Sequence, residues 1–128
     1  MTKTLAILSI EDSNADFLLM ERQLKTDGID CRCHRVDDKQ SFDDALQSGA
    51  WDLVISDYCV PGLYFPEVLA SVRQHSPNLP FMIVSGTIGE AKGAMMVMLG
   101  ASDFVSKERL EDLVPTIKRH LGLDPEDV

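Results

Sequence analysis

The chain has 128 residues, 45% of them hydrophobic, which suits one globular domain with a core of its own. Its formal net charge is −9 and its pI about 4.6, so it repels phosphate backbones and direct binding of nucleic acid is not expected. No apolar stretch approaches the ~20 residues of a membrane helix, and the start Met1-Thr2-Lys3-Thr4 is too short and too soon acidic for a secretory signal; a soluble cytoplasmic protein with no membrane partner is expected.

Leu5 to Ile10 is a short bounded apolar run and reads as a buried strand. It ends in Glu11-Asp12. Ser13-Asn14 offer N-caps to a helix with Phe17, Met20 and Leu24 at helical spacing, stopped by Gly28. Cys31 to Val36 alternates less tidily around Arg32 and Arg35, which suits an edge strand. Cys31 and Cys33 fall on one face of it, too close for an easy disulfide, with His34 on the other face. A Cys-Arg-Cys-His zinc site is therefore not expected, and Cys31, Cys33 and Cys59 are read as reduced thiols. Ser41 is read as the cap of a short helix carrying Phe42, Ala45 and Leu46, stopped near Gly49.

Asp52-Leu53-Val54-Ile55-Ser56-Asp57-Tyr58-Cys59-Val60-Pro61-Gly62 organises the rest. A β-branched apolar run ends abruptly in a carboxylate, and Pro-Gly marks a turn. A helix follows with Phe65, Val68, Leu69 and Val72 spaced i, i+3, i+4, i+7. Ser76-Pro77-Asn78-Leu79-Pro80 breaks it, and Phe81 to Ser85 is a fourth strand closed by Gly86. A Thr87-Ile88-Gly89 loop leads into a helix with Ala91, Met95 and Met98, its methionines read as adaptable core packing. That helix stops at Gly100. Asp103 to Ser106 is a fifth strand ending in Lys107. The last helix carries Val114, Ile117 and Leu121, with Asp112 as its N-cap, Leu110 and Leu113 in the turn before, Pro115 tolerated in its first turn, and Gly122 at its end. His34, His75 and His120 lie in polar or helical-surface contexts and are read as solvated. Residues 1–122 make one domain, and 123–128 an acidic tail or the start of a linker.

Strand and helix alternate five times, which gives an α/β fold: a doubly wound, five-stranded parallel sheet, order 2-1-3-4-5, flavodoxin-like in topology. Ligands of such sheets bind at the carboxyl ends of the strands, at the switch point between strands one and three. That rim gathers Glu11, Asp12, Asp57, Ser85 and Lys107. Three carboxylates at close quarters demand a cation, and oxygen donors suit Mg²⁺. Lys107 and Ser85 can bond phosphoryl oxygens, and a carboxylate can accept a phosphoryl group covalently.

In this order and spacing these residues resemble the receiver domain of two-component response regulators, CheY-like, from about Thr4 to Gly122. The pieces are Glu11-Asp12, Ser56-Asp57-Tyr58 with Pro61-Gly62, Val84-Ser85-Gly86, and Gly100 to Lys107. The resemblance implies that Asp57 is the phosphoacceptor, served by a sensor histidine kinase or phosphotransfer protein. It implies Mg²⁺ held by Glu11, Asp12, Asp57 and the backbone carbonyl of Cys59. Lys107 and Ser85 would meet the phosphoryl group, and Phe104 would report the switch. Gly86 and Thr87 would modulate it. The signal would reach the face of the fourth helix, fifth strand and fifth helix, for a downstream protein or a fused effector domain. Such a module is a phosphoprotein that assists its own phosphorylation and dephosphorylation, not an enzyme acting on a separate substrate.

The chain departs from the family at three places. Glu108 follows the lysine where a cis-joined Pro is usual. Phe104 lacks the hydroxyl of the commoner Tyr. Leu63-Tyr64-Phe65 replaces a small, acidic, Gly-containing turn, with Tyr64 and Phe65 read as a staple on the third helix. The alternatives to a phosphorylation switch are a receiver-like interaction module and two other classes of protein. A Mg²⁺-dependent phosphatase with an Asp nucleophile wants an acid two residues on, where this chain has Cys59. A flavodoxin-like electron carrier would find its flavin phosphate repelled by Glu11-Asp12.

Overall fold

The computed structural model describes residues 4–86, 95, 97 and 99–122. Five parallel strands, β1 (Leu5–Ile10), β2 (Cys31–Val36), β3 (Leu53–Ser56), β4 (Phe81–Ser85) and β5 (Asp103–Ser106), run in the order β2-β1-β3-β4-β5. This is the expected doubly wound sheet, with β2 at one edge. Period-two alternation sends successive side chains to opposite faces. Leu8, Ile10, Val54, Phe81 and Ile83 enter a core against α2 (Lys39–Ser48) and α3 (Phe65–His75). Ile7, Leu53, Ile55, Met82, Val84 and Val105 enter another, with Phe17, Met20 and Leu24 of α1 (Asn14–Thr26) and with Leu113, Val114 and Ile117 of the C-terminal helix (Leu113–Leu121). Every residue of β3 and β4 is buried, as a strand covered on both faces requires.

Local signals explain most of the element ends. Ser13 caps α1, its hydroxyl accepting the Asp16 N–H. Asp38, not Ser41, caps α2: its carboxylate accepts the Ser41 N–H at 2.7 Å, and the Ser41 hydroxyl sits at N3 of the same capping box. An Asp-x-x-Ser pair closes the box as well as the expected lone serine would, and one turn earlier. Asp52 holds the start of β3 to β1, its carboxylate accepting the Ala6 N–H while its own N–H donates to the Ala6 carbonyl. Phe65 lies against Tyr58 and edge-on to Phe81, ring centroids 5.3 and 5.7 Å apart, so it is the staple expected. Tyr64, its neighbour, is exposed and so is not part of the staple expected of it.

Several expectations change, while the reading of the cysteines holds. A 3-10 turn, Lys107–Asp112, separates β5 from the C-terminal helix, and Leu113 is the first residue of that helix rather than part of the turn before it. Asp112 stands at the N-cap position but makes no side-chain cap bond; its carbonyl accepts the Thr116 hydroxyl. Arg109 is the non-helical residue that kinks this stretch. The Lys107–Glu108 peptide is trans. His120 is not simply solvated: its Nε2 lies 2.8 Å from Asp103 Oδ2, where Arg119 also bonds. His34 stacks on Trp51. Met95 is helical and exposed, so it is not core packing; Ala91 and Met98, like Thr87, lie outside the described residues. Cys31, Cys33 and Cys59 are free thiols, and Cys31 and Cys33 share a face with sulfurs 3.7 Å apart.

Candidate phosphoacceptor and metal site

Strand register builds the site. Ile10 pairs with Ser56, so the residues that follow them, Glu11 and Asp57, emerge side by side. The Asp57 N–H donates to the Ile10 carbonyl and the Glu11 N–H to the Val36 carbonyl, which carries the sheet's hydrogen bonds one residue beyond each strand. Ser85 pairs with Ser106, so Lys107 leaves β5 at the same rim. Glu11, Asp57 and Lys107 also share the parity of Ile7, Ile55 and Val105, the face covered by α1. Lys107 therefore reaches across toward the two carboxylates.

The Lys107 ammonium lies 2.6 Å from Glu11 Oε1, 2.8 Å from Asp57 Oδ2 and 2.8 Å from Asp16 Oδ2. Glu11 is buried, and its second oxygen accepts the Ser13 N–H. Asp57 Oδ1 accepts the Cys59 N–H, which folds the following turn back on the carboxylate. Oxygens of Glu11, Asp12 and Asp57 can all lie within 4.8 Å of one another. Three hard oxygen donors of high charge, one of them exposed to water on Asp12, are a set that suits a divalent cation of the Mg²⁺ or Mn²⁺ kind.

Burial pushes the Glu11 carboxyl above its ordinary range; the Lys107 and Ser13 bonds and the lysine's charge pull it back in part, and the charge of Asp57 adds to the rise. For Lys107 burial favours the neutral amine, but its bonds to Asp16, Asp57 and Glu11 prevail and raise it above the ordinary lysine range. The ammonium is thus the standing neutraliser of the acid cluster.

The other expected residues lie on β4, just after it, and on β5. Ser85 is fully buried at the end of β4, on the parity opposite to Lys107. Phe104 pairs with Ile83 and packs, half-buried, against the core on the α3 side. A Cβ on Gly86 would touch the Lys107 side chain at an ordinary 3.7 Å, so Gly86 lies along the lysine without being forced by a clash. Asp16 was not foreseen. Its only mark in the sequence is an acid in the first turn of α1, a commonplace of helix starts.

The profile of the response regulator receiver domain matches residues 7–118, and the chain belongs to that family. It is a receiver domain of the two-component signalling type. Among curated proteins, the uncharacterized transcriptional regulatory protein YcbL of Bacillus subtilis (strain 168) is 26% identical over 98 residues, 77% of this chain and 42% of that protein. The transcriptional regulatory protein FixJ of Bradyrhizobium diazoefficiens is 36% identical over 77 residues, 59% of this chain and 37% of that one. The chain thus spans about two fifths of the length of the curated relatives it matches. Among solved structures, the receiver domain of sensor histidine kinase PA1611 from Pseudomonas aeruginosa PAO1, with a magnesium ion coordinated in its cleft, superposes with a TM-score of 0.78 at 18% identity, covering 94% of this chain and 99% of that one.

Proposed function

We propose that this receiver domain is a phosphorylation-switched signalling module whose phosphoacceptor is Asp57. The donor is a phosphohistidine on a sensor histidine kinase or phosphotransfer protein. The observation that carries this reading is the Lys107 ammonium 2.8 Å from Asp57 Oδ2, beside the Glu11-Asp12 pair. In the transfer, an Asp57 carboxylate oxygen attacks phosphorus, an O–P bond forms as the N–P bond breaks, and the imidazole nitrogen leaves with the electron pair. Lys107 bonds a phosphoryl oxygen and offsets its charge. Ser85 then turns its hydroxyl toward the phosphoryl group, and Phe104 repacks into the space released, so that a local charge event biases a two-state element.

Glu11, Asp12 and Asp57, with the Cys59 carbonyl, are the residues that would hold Mg²⁺. When bound, the ion supplies charge neutralisation to the carboxylates and phosphoryl oxygens. Gly86, beside Lys107, and Thr87 modulate the lifetime of the adduct. The module assists its own phosphorylation and dephosphorylation and passes its state to a downstream protein or fused effector domain in the cytoplasm, without itself contacting nucleic acid. A phosphatase built on Asp57 is disfavoured by Cys59 at the position of the general acid, since a thiol is a poor proton donor to an alcohol leaving group.

The test uses acetyl phosphate and Mg²⁺ with intact-mass detection. One phosphoryl group should add to wild type and none to Asp57→Asn. Turnover of many donor equivalents on a range of phosphoesters, with no persisting adduct, would favour the phosphatase instead.

A further inference from the structure

Lys107 has three N–H donors, as any ammonium does, and three carboxylates stand around it: Glu11 at 2.6 Å, Asp57 at 2.8 Å and Asp16 at 2.8 Å. Glu11 and Asp57 come from strand ends. Asp16 comes from α1, and the backbone that carries it is fixed, because its N–H donates to the Ser13 hydroxyl while the Ser13 N–H donates to Glu11. Both Asp16 Oδ2 and Asp57 Oδ2 lie 2.8 Å from the same nitrogen, so they are at most twice that distance apart. Asp16 also lines the cleft onto which Asp57 and Lys107 open.

We propose that Asp16 is a positioning residue that restrains the site: it fixes the Lys107 ammonium over Asp57 and keeps a permanent negative charge facing the position a phosphoryl group would take. The inference rests on the phosphoacceptor reading and adds a residue to it. In the unphosphorylated site the ammonium serves all three carboxylates. With a phosphoryl group on Asp57, the donor aimed at Asp57 turns to a phosphoryl oxygen, and the donor aimed at Asp16 stays. Asp16 then shares the lysine's charge with the phosphoryl group and repels it across the same nitrogen. Asp16 thus aims the lysine and biases the switch toward its unphosphorylated state. The side chain is partly exposed, so water screens the repulsion and keeps it modest.

The experiment is a beryllofluoride titration of the Mg²⁺-loaded chain, followed by ¹⁹F NMR of bound fluoride. It compares wild type with Asp16→Asn, which keeps an acceptor for Lys107 but drops the charge, and with Asp16→Glu, which keeps both. Asp16→Asn should bind about fivefold more tightly at low salt, the scale of unit charges repelling at ~5 Å in a near-aqueous dielectric. The gain should shrink as added salt screens the charge, and Asp16→Glu should match wild type. A purely structural role would move none of these. Equal affinity of wild type and Asp16→Asn at every salt concentration, or weaker binding by Asp16→Asn, overturns the inference while leaving Asp57 as acceptor. A wild-type chain that takes up no beryllofluoride overturns the phosphoacceptor reading and this inference together.

Discussion

Lys107 Nζ stands 2.8 Å from Asp57 Oδ2 although 50 residues separate the two in the chain. The contact exists because β3 and β5 end at one rim on one parity, and it joins the residue proposed to receive the phosphoryl group to the cation that would hold it. Lys107→Ala leaves Glu11, Asp16 and Asp57 without their shared ammonium. Stability at pH 7 should fall by about 1–3 kcal/mol, the range for buried polar groups deprived of a hydrogen-bond partner, measured by urea unfolding. The fold should persist, and phosphorylation should no longer change the Phe104 ring resonances. A wild-type response of Phe104 in this variant would contradict the role given to the lysine.

Glu11 sets a pH dependence whose sign is fixed. Burial raises its carboxyl in the folded chain above the 4.5 of an unperturbed glutamate. The native state therefore holds more protons than the unfolded chain between pH 4.5 and the folded value, and this group's contribution to stability falls as pH rises through that window. Glu11→Gln should flatten the corresponding part of the profile, measured by urea unfolding in Mg²⁺-free buffer from pH 4.5 to neutrality. Lys107 acts at the other end of the scale. Its folded value lies above its unfolded one, so its contribution is intact below pH 10.5 and is lost as pH rises through the folded value.

A divalent ion that binds the folded acid cluster stabilises it by mass action. Free Mg²⁺ at ten times its dissociation constant should add about 1.4 kcal/mol, seen as a rise in Tm. Asp12→Asn removes one carboxylate charge of the cluster without disturbing Lys107 and should abolish most of that rise. An equal rise in wild type and Asp12→Asn would place the ion elsewhere.

The turn after Pro61-Gly62 separates two neighbouring aromatics by burial. Phe65 is buried between Tyr58 and Phe81, so Phe65→Ala should cost about 3 kcal/mol or more. Tyr64 is 66% exposed, and Tyr64→Ala should change stability by no more than about 0.5 kcal/mol. Thermal or urea unfolding of the two variants side by side tests the assignment.

The sheet and its acid rim were legible because each site residue directly follows a short strand-forming run: Ile10 precedes Glu11, Ser56 precedes Asp57, and Ser106 precedes Lys107. Strand order then supplies the proximity. Asp16 was not legible, since it lies one turn inside α1 and meets Lys107 across 91 residues of sequence; only the packing of α1 against the 3-10 turn after β5 brings them together. The Asp38 cap was hidden by a competing serine three residues on. His120 looked solvated because its partner, Asp103, belongs to a strand and not to its own helix. Local spacing reveals what one element does and is silent on which side chains two distant elements bring together.

The most direct test is to locate the modified residue. After phosphorylation with acetyl phosphate and Mg²⁺, borohydride reduction converts an aspartyl phosphate to homoserine, and peptide mass spectrometry finds it. Homoserine at position 57, and nowhere else, is the expected result. Homoserine at Asp12 or Asp16 with Asp57 unchanged, or no homoserine at all from a chain that has bound Mg²⁺, would contradict the account.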